Sequence, residues 1–159
     1  MTNTNQLPLF RSATGDDLAG VTALLEHAKL PLAGVAEMFA REASQFVVAI
    51  GADNSADVVA VAGVEVCCDN ALLRSVAVRD DWRQQGLGAL LVQRAVCEAE
   101  ARGIRALYLL TMTAEHYFPR FGFETISRDS VPLEIAETLE FKSACPASTV
   151  AMSKSLESV

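Results

Sequence analysis

The stretch from Leu72 to Arg102, LLRSVAVRDDWRQQGLGALLVQRAVCEAEAR, constrains the fold more than any other. An aliphatic run, Leu72 to Val78, leads through two glycines, Gly86 and Gly88, into an unbroken helical pattern ending at Arg102. Leu91, Val92, Ala95, Val96 and Ala99 form one broad apolar face of that helix, and Leu90, Cys97 and Ala101 form another, so packing on two sides is expected. Small Ala95 and Ala99 allow close seating on a sheet. Arg94, Glu98 and Arg102 recur every four residues on the polar stripe, and Gly103 closes the helix. The next apolar run, Ile104 to Leu110, follows a helical crossover and is therefore expected to lie parallel to the strand ending at Val78. A strand, a glycine turn and a helix start make a generic anion site, because unpaired amides and the helix dipole both favour negative charge. The turn has neither the Lys-Ser/Thr ending of a triphosphate loop nor the three spaced glycines of a dinucleotide fingerprint.

Around this unit the pattern predicts a strand over Leu7–Ala13 and a helix to His27, with Thr14 as its N-cap and Asp16 and Asp17 in its first turn. Lys29-Leu30-Pro31 separates it from a second helix over Leu32–Glu42. Gln45–Gly51 and Val58–Cys67 read as a hairpin about the turn at 52–55, and Cys68-Asp69-Asn70 turns the chain into Leu72–Val78. Downstream, a short helix over Thr113–Arg120, a strand from Phe121, a helix from Ser130-Val131-Pro132 and a closing strand over Ser148–Met152 complete the chain. The expected fold class is α/β (α+β), a mixed, mostly antiparallel sheet of six to seven strands with helices on both faces.

The 159 residues suit one domain, residues 1–159, with 1–6 as a mobile tail. A net charge of −7 argues against a nucleic-acid partner. No secretory leader or membrane-length apolar run stands out, so the expectation is a cytoplasmic protein without a membrane partner. Cys67, Cys68, Cys97 and Cys145 lack paired metal-ligand spacing and read as buried free thiols, so no metal site is expected, a soft-metal or arsenite site on Cys67, Cys68 and Cys145 being the lesser alternative.

Val76-Ala77-Val78 followed by Arg83-Gln84-Gln85-Gly86-Leu87-Gly88 resembles the acetyl-CoA signature of the GNAT acetyltransferase superfamily. Thr111-x-x-Ala114-x-x-x-Phe118-x-x-x-Gly122-Phe123 resembles its second landmark. The segments at 71–78, 107–111 and 140–148 are similar to arsenic-resistance N-acetyltransferases, and Tyr108–Phe123 is similar to the acetyltransferase domain of N-acetylglutamate synthases. The last strand of the latter is basic, whereas 145–150 here holds no basic residue. The resemblance implies acetyl-CoA as co-substrate. The amides of Gln84, Gln85, Gly86, Leu87, Gly88 and Ala89 would then hold its pyrophosphate, and the main chain of Val76 and Val78 its pantetheine. Arg83, Thr111 and Phe118 complete the expected cofactor contacts.

Direct transfer to an amine needs a base, oxyanion donors and an acid for the thiolate. Where relatives carry an acidic tyrosine this chain has Phe118, with Tyr117 one position earlier. Glu65, a carboxylate inside an apolar strand, is a candidate base or ammonium anchor, with an exposed edge residue as the alternative. Arg74 and Ser75 stand where relatives face the acceptor, so Arg74 would suit a carboxylate, phosphonate or arsenic oxyanion, a structural ion pair being the alternative. His116 and His27 read as surface residues, and Trp82 as a packing anchor. The expected activity is N-acetylation of a small, amino-acid-like amine in a ternary complex. A degenerate CoA-binding module, a protein N-acetyltransferase and cysteine acylation are the alternatives, and a homodimer is left open.

Overall fold

Aliphatic strands pair into one seven-stranded mixed sheet in the order β1-β2-β3-β4-β5-β7-β6. The structure, a computed structural model, describes residues 8–41, 45–51, 57–83, 86–144 and 148–156. The elements in chain order are β1 (Leu9–Ser12), α1 (Leu18–His27), α2 (Val35–Phe39), β2 (Gln45–Ile50), β3 (Val58–Cys67), β4 (Asn70–Val78), α3 (Leu87–Ala101), β5 (Ala106–Thr111), β6 (Glu124–Ile126), α4 (Leu133–Ala136), α5 (Leu139–Ser143) and β7 (Val150–Ser155). The expectations for residues 1–7, Glu42, the turn at 52–55 and Cys145 lie outside the described residues.

Strands β1 to β4 run antiparallel in sequence order, and β5 joins β4 in parallel, as the helical crossover requires. Helix α3 covers one face, its Val92, Ala95, Val96 and Ala99 meeting Leu73, Leu107 and Leu109. On the other face α1 and α2 cover Phe46, Val48 and Val61, while α4 and α5 cover Leu72 and Ala151. Each such buried Leu or Val contributes about 1.5–3 kcal/mol, so the two faces together carry the stability of the sheet. Between the two helical groups on this second face runs a seam directly over β4.

Several expectations change in detail. Helix α3 packs on one side only: Leu90 is 48% exposed, and Cys97 and Ala101 are exposed, because no second layer lies over it among the described residues. Helix α2 is shorter than the span from Leu32, since Gly34 adopts φ 84 and starts the helix only at Val35. The span from Thr113 to Arg120 is a turn followed by a 3-10 helix, Phe118–Phe121. Thr111 Oγ1 accepts from Ala114 N at 2.9 Å to form that turn, and Pro119 has no N–H to continue a regular helix. Helix α5 was not anticipated; Thr138 caps it by accepting from Phe141 N at 3.3 Å.

Candidate active site

Parallel pairing of β4 with β5 stops after three residue pairs, Asn70 with Ala106, Ala71 with Leu107 and Leu72 with Tyr108. Beyond the fork, β5 pairs with β7 through Thr111, and β4 pairs only with β3. The β5-facing edge of β4 from Leu73 to Val78 thus has no strand partner among the described residues. Buried main-chain donors and acceptors rarely stay unpaired, so such an edge is a place for an extended ligand.

Strand β4 also carries a bulge. Val61 pairs with Ala77 and Gly63 with Arg74, so two β4 residues, Ser75 and Val76, oppose Ala62 alone. Ser75 takes φ 60, a left-handed conformation that costs a non-glycine residue about 1–2 kcal/mol. In a regular strand Arg74, Val76 and Val78 would share a face. With the extra residue, Val76 and Val78 pack toward α3 while Arg74 lies on the opposite face with Glu65. One residue inserted into the strand therefore divides it between two chemistries.

On the α3 side the groups are mainly backbone. Gly86 caps α3 at φ 78, and the first helical bond runs from Leu90 N to Gly86 O at 3.1 Å. The amides of Leu87, Gly88 and Ala89 are left without helical acceptors, as at any helix start. A Cβ on Gly86 would meet nothing within 4 Å, whereas one on Gly88 would stand 3.4 Å from Tyr117 Oη and 3.5 Å from Val78 Cγ2. Tyr117 thus brings its hydroxyl to the start of α3, and the Arg120 guanidinium lies 4.4 Å from its ring centroid. Arg83 reaches Val78 O at 3.3 Å and Asp80 at 3.3 Å. Trp82 packs beneath this turn with Leu87 and Leu91, and Gln84 and Gln85 lie outside the described residues. Open space, free amides and an unpaired strand edge fit a phosphate-bearing ligand with an extended amide arm.

On the opposite face the groups are side chains, and they are buried. Arg74 is fully enclosed; its Nη1 donates to Glu65 Oε1 at 3.1 Å and its Nε to Ser75 Oγ at 3.2 Å. Glu140, from α5, places Oε2 3.9 Å from Arg74 Nε. Arg41 approaches the other side of Glu65 at 3.9 Å. Arg74 Nη2 and Glu140 Oε2 are both buried without a hydrogen-bond partner among the described residues. Burial, opposed by Arg74 and reinforced by Glu65, pushes the Glu140 carboxyl up to about 7. Gly34 roofs the cluster, since a Cβ there would stand 3.0 Å from Arg74 Nη1 and 3.6 Å from Leu139 Cβ.

The fork thus joins Arg74, Ser75 and Glu65 in one cluster and gathers Val76, Val78, Gly86, Leu87, Gly88, Ala89 and Tyr117 along the other face. Glu65 lies on the central strand β3 and is 8% exposed, so the edge-residue alternative does not apply. Phe118 sits in the core against Phe123 at 5.8 Å, and Thr111 is buried at the end of β5. His116 is on the surface, whereas His27 gains an unanticipated partner, Asp80, at 2.9 Å. Burial, reinforced by Glu65, pushes the Cys67 thiol up to about 11, away from nucleophilic chemistry. Glu140 was missed. Its signals in the sequence are a place at the head of the 140–148 segment and a capping threonine, Thr138, ahead of a carboxylate set between Leu139 and Phe141, neither of which assigns it a role. Among the described residues no group of His, Cys, Asp or Glu is arranged to hold a metal ion, and no helix is long and apolar enough to cross a membrane. A cleft of about 220 Å³, bounded by Thr14, Met38, Arg41 and Phe46, shares Arg41 with the buried cluster and holds none of Glu65, Arg74 or Glu140.

Residues 42–125, more than half of the chain, match the acetyltransferase (GNAT) domain family. The chain is 30% identical over 142 residues to an amino-acid acetyltransferase of Pseudomonas syringae pv. tomato, covering 86% of this chain and 32% of that protein. It spans about a third of the length of the curated relatives it matches most extensively. Among solved structures, Rv2747 from Mycobacterium tuberculosis, in complex with CoA, superposes with a TM-score of 0.76 at 23% identity, over 94% of this chain and all of that one. The N-acetylglutamate synthase of Neisseria gonorrhoeae, complexed with CoA and N-acetyl-glutamate, gives 0.78 at 18% identity, over 98% of this chain and 36% of that one. At these identities the two structures establish a shared fold.

Proposed function

The chain belongs to the GNAT acetyltransferase family, with acetyl-CoA as co-substrate, and we propose that it acetylates the amino group of a small amino acid or amino-acid-like molecule. The observation that carries the reading is the fork. It leaves one edge of β4 open beside the glycine-led start of α3 and sets a buried, incompletely paired arginine, Arg74, on the other face. In this reading the amides of Gly86, Leu87, Gly88 and Ala89, with Arg83, Gln84 and Gln85, receive the pyrophosphate. The main chain of Val76 and Val78 pairs with the pantetheine arm, while Thr111 and Phe118 shape the wall from β5. Arg74, braced by Ser75, meets the acceptor's anionic group, which is a carboxylate or an analogous phosphonate or arsenic oxyanion.

Transfer is direct: the amine attacks the thioester carbonyl, the C–S bond breaks as the C–N bond forms, and the thiolate leaves with the second amine proton. Tyr117, whose hydroxyl stands on the donor side, supplies the proton relay to that thiolate. Cysteine acylation receives no support from Cys67, which is held as a thiol. The amino-acid acetyltransferase relatives agree with an acceptor of this kind.

The test is free CoA release from acetyl-CoA, with the common α-amino acids, phosphinothricin and arsenic-bearing analogues each offered as acceptor. Turnover with one of these compounds is expected. Tight CoA binding without turnover across the panel would instead favour a binding module, the reading that the proton-free Phe118 at the expected acid position supports.

A further inference from the structure

The buried cluster holds an orphan donor and an orphan acceptor side by side, Arg74 Nη2 and Glu140 Oε2. Each would lose free energy if it stayed unpaired out of water. They do not satisfy each other as placed: neither has a hydrogen-bond partner, and Glu140 Oε2 lies 3.9 Å from Arg74 Nε, beyond hydrogen-bond range. Hydrogen bonding is also uneven. Arg74 is fully enclosed between two buried carboxylates, Glu65 and Glu140, and only Glu65 is directly hydrogen-bonded to it. Arg41, which is 47% exposed, faces Glu65 and not Glu140. Glu140 thus has a coulombic partner in Arg74 but no hydrogen-bond donor on Oε2, and a group that completes it is a donor such as an ammonium.

From this geometry we infer that Glu140 anchors the acceptor's ammonium group and takes a proton from it, while Arg74 Nη2 holds the acceptor's anionic group. The inference rests on the acetyltransferase reading above and narrows the acceptor to a zwitterion, an α-amino acid or its phosphinic or arsenic analogue. The ammonium gives one proton to the Glu140 carboxylate. The neutral amine then attacks the thioester, its second proton leaves with the thiolate as CoA–SH, and Glu140 returns its proton to solvent after product release. Glu65 holds Arg74 in place, a positioning residue and not the base.

The protein is suited to hold Glu140 there. Thr138 caps α5, and Arg128 clamps the helix to the sheet by donating to Phe141 O at 3.3 Å and Thr149 Oγ1 at 2.8 Å. Across the seam, the groups facing Glu140 are Arg74 from β4 and, behind it, Glu65 from β3. Burial leaves the free carboxyl protonated in mildly acid solution, so binding of a cation is what favours its ionised form.

Wild type, E140Q and E65Q are assayed with acetyl-CoA and the common α-amino acids and phosphinothricin from mildly acid to mildly alkaline pH, with CoA affinity measured by calorimetry. The wild type should show an acid limb in kcat/KM near pH 7. E140Q should lose that limb and about 100-fold or more in kcat/KM at unchanged CoA affinity, while E65Q should keep the limb. If no acceptor is acetylated by the wild type, both the acetyltransferase reading and this inference fall. If an acceptor is found and E140Q keeps both rate and limb, Glu140 alone is overturned. Should E140Q not fold, wild-type protein decides the matter: the Glu140 carboxyl, followed by 13C NMR, should titrate near neutrality, and saturating acceptor should lower the midpoint. A midpoint that the acceptor leaves unmoved overturns the anchor.

Discussion

The two faces of β4 are built from different materials. Toward α3 the site consists of main-chain groups of one continuous stretch, with glycines that keep side chains out of the way. Toward α2 and α5 it consists of side chains from four separated segments, Arg41, Glu65, Arg74 and Glu140, three of them buried. A backbone site is specific for a chemical type, phosphate and amide, and tolerates sequence change wherever a side chain is not in contact. A buried charge cluster responds to every member, because each neutralises the others in a low-dielectric setting. In the proposed reading the donor is held by the part of the fold that varies least in chemistry, and the acceptor by the part whose chemistry single substitutions can rewrite.

The largest expected effect separates the faces by stability. Arg74→Ala leaves Glu65 and Glu140 uncompensated and should cost about 3–5 kcal/mol above neutral pH, read by urea denaturation. The loss should shrink in acid, where Glu140 protonates; a cost independent of pH would make Arg74 a packing residue. Gly86→Asp adds a negative charge and a left-handed non-glycine residue at the start of α3. It should weaken CoA binding about 100-fold, roughly 2.7 kcal/mol by calorimetry, with the charge cluster and its pH response intact. Unchanged CoA affinity in the folded variant would sink the donor assignment.

A third test uses the pH dependence of Glu140. Its folded pKa, raised to about 7, lies above the value it has when unfolded. Between the two, the folded state keeps a proton that the unfolded chain has released. Its contribution is therefore present in acid and lost as pH rises toward 7, on the order of 2 kcal/mol. Thermal unfolding across that window should show the loss in the wild type and not in E140Q. Smaller still, Tyr117→Phe should lower kcat by about 10-fold, within the range of general acid catalysis, while leaving CoA affinity nearly unchanged; an effect on affinity alone would restrict Tyr117 to binding.

The smallest effect belongs to neither face. The Arg11 guanidinium, bonded to Asp17 at 2.6 Å, holds that carboxyl below its usual range. Its folded pKa is depressed, so its contribution is present above the unfolded pKa and lost as pH falls through the folded one. Because Arg11 is partly exposed, Asp17→Asn should cost no more than about 1 kcal/mol in denaturation near neutral pH and change neither CoA nor acceptor kinetics.

The amino-acid sequence by itself determined the sheet, its crossover and the glycine-led start of α3. Strand period, helix period and glycine placement are local, and a phosphate-binding helix start is made from consecutive residues, Gly86 to Ala89. Arg74 and Ser75 stand as acceptor candidates only through resemblance. The tertiary structure decided the rest. The bulge at Ser75 turns Arg74 away from Val76, a displacement that alternation along a strand does not reveal. Glu65 changed from a free base candidate to the partner of Arg74, because β3 and β4 pair in the register that sets Gly63 opposite Arg74. Glu140 entered only when a helix capped by Thr138 folded over the seam. Charge compensation depends on distances between residues far apart in the chain, and only packing sets those distances.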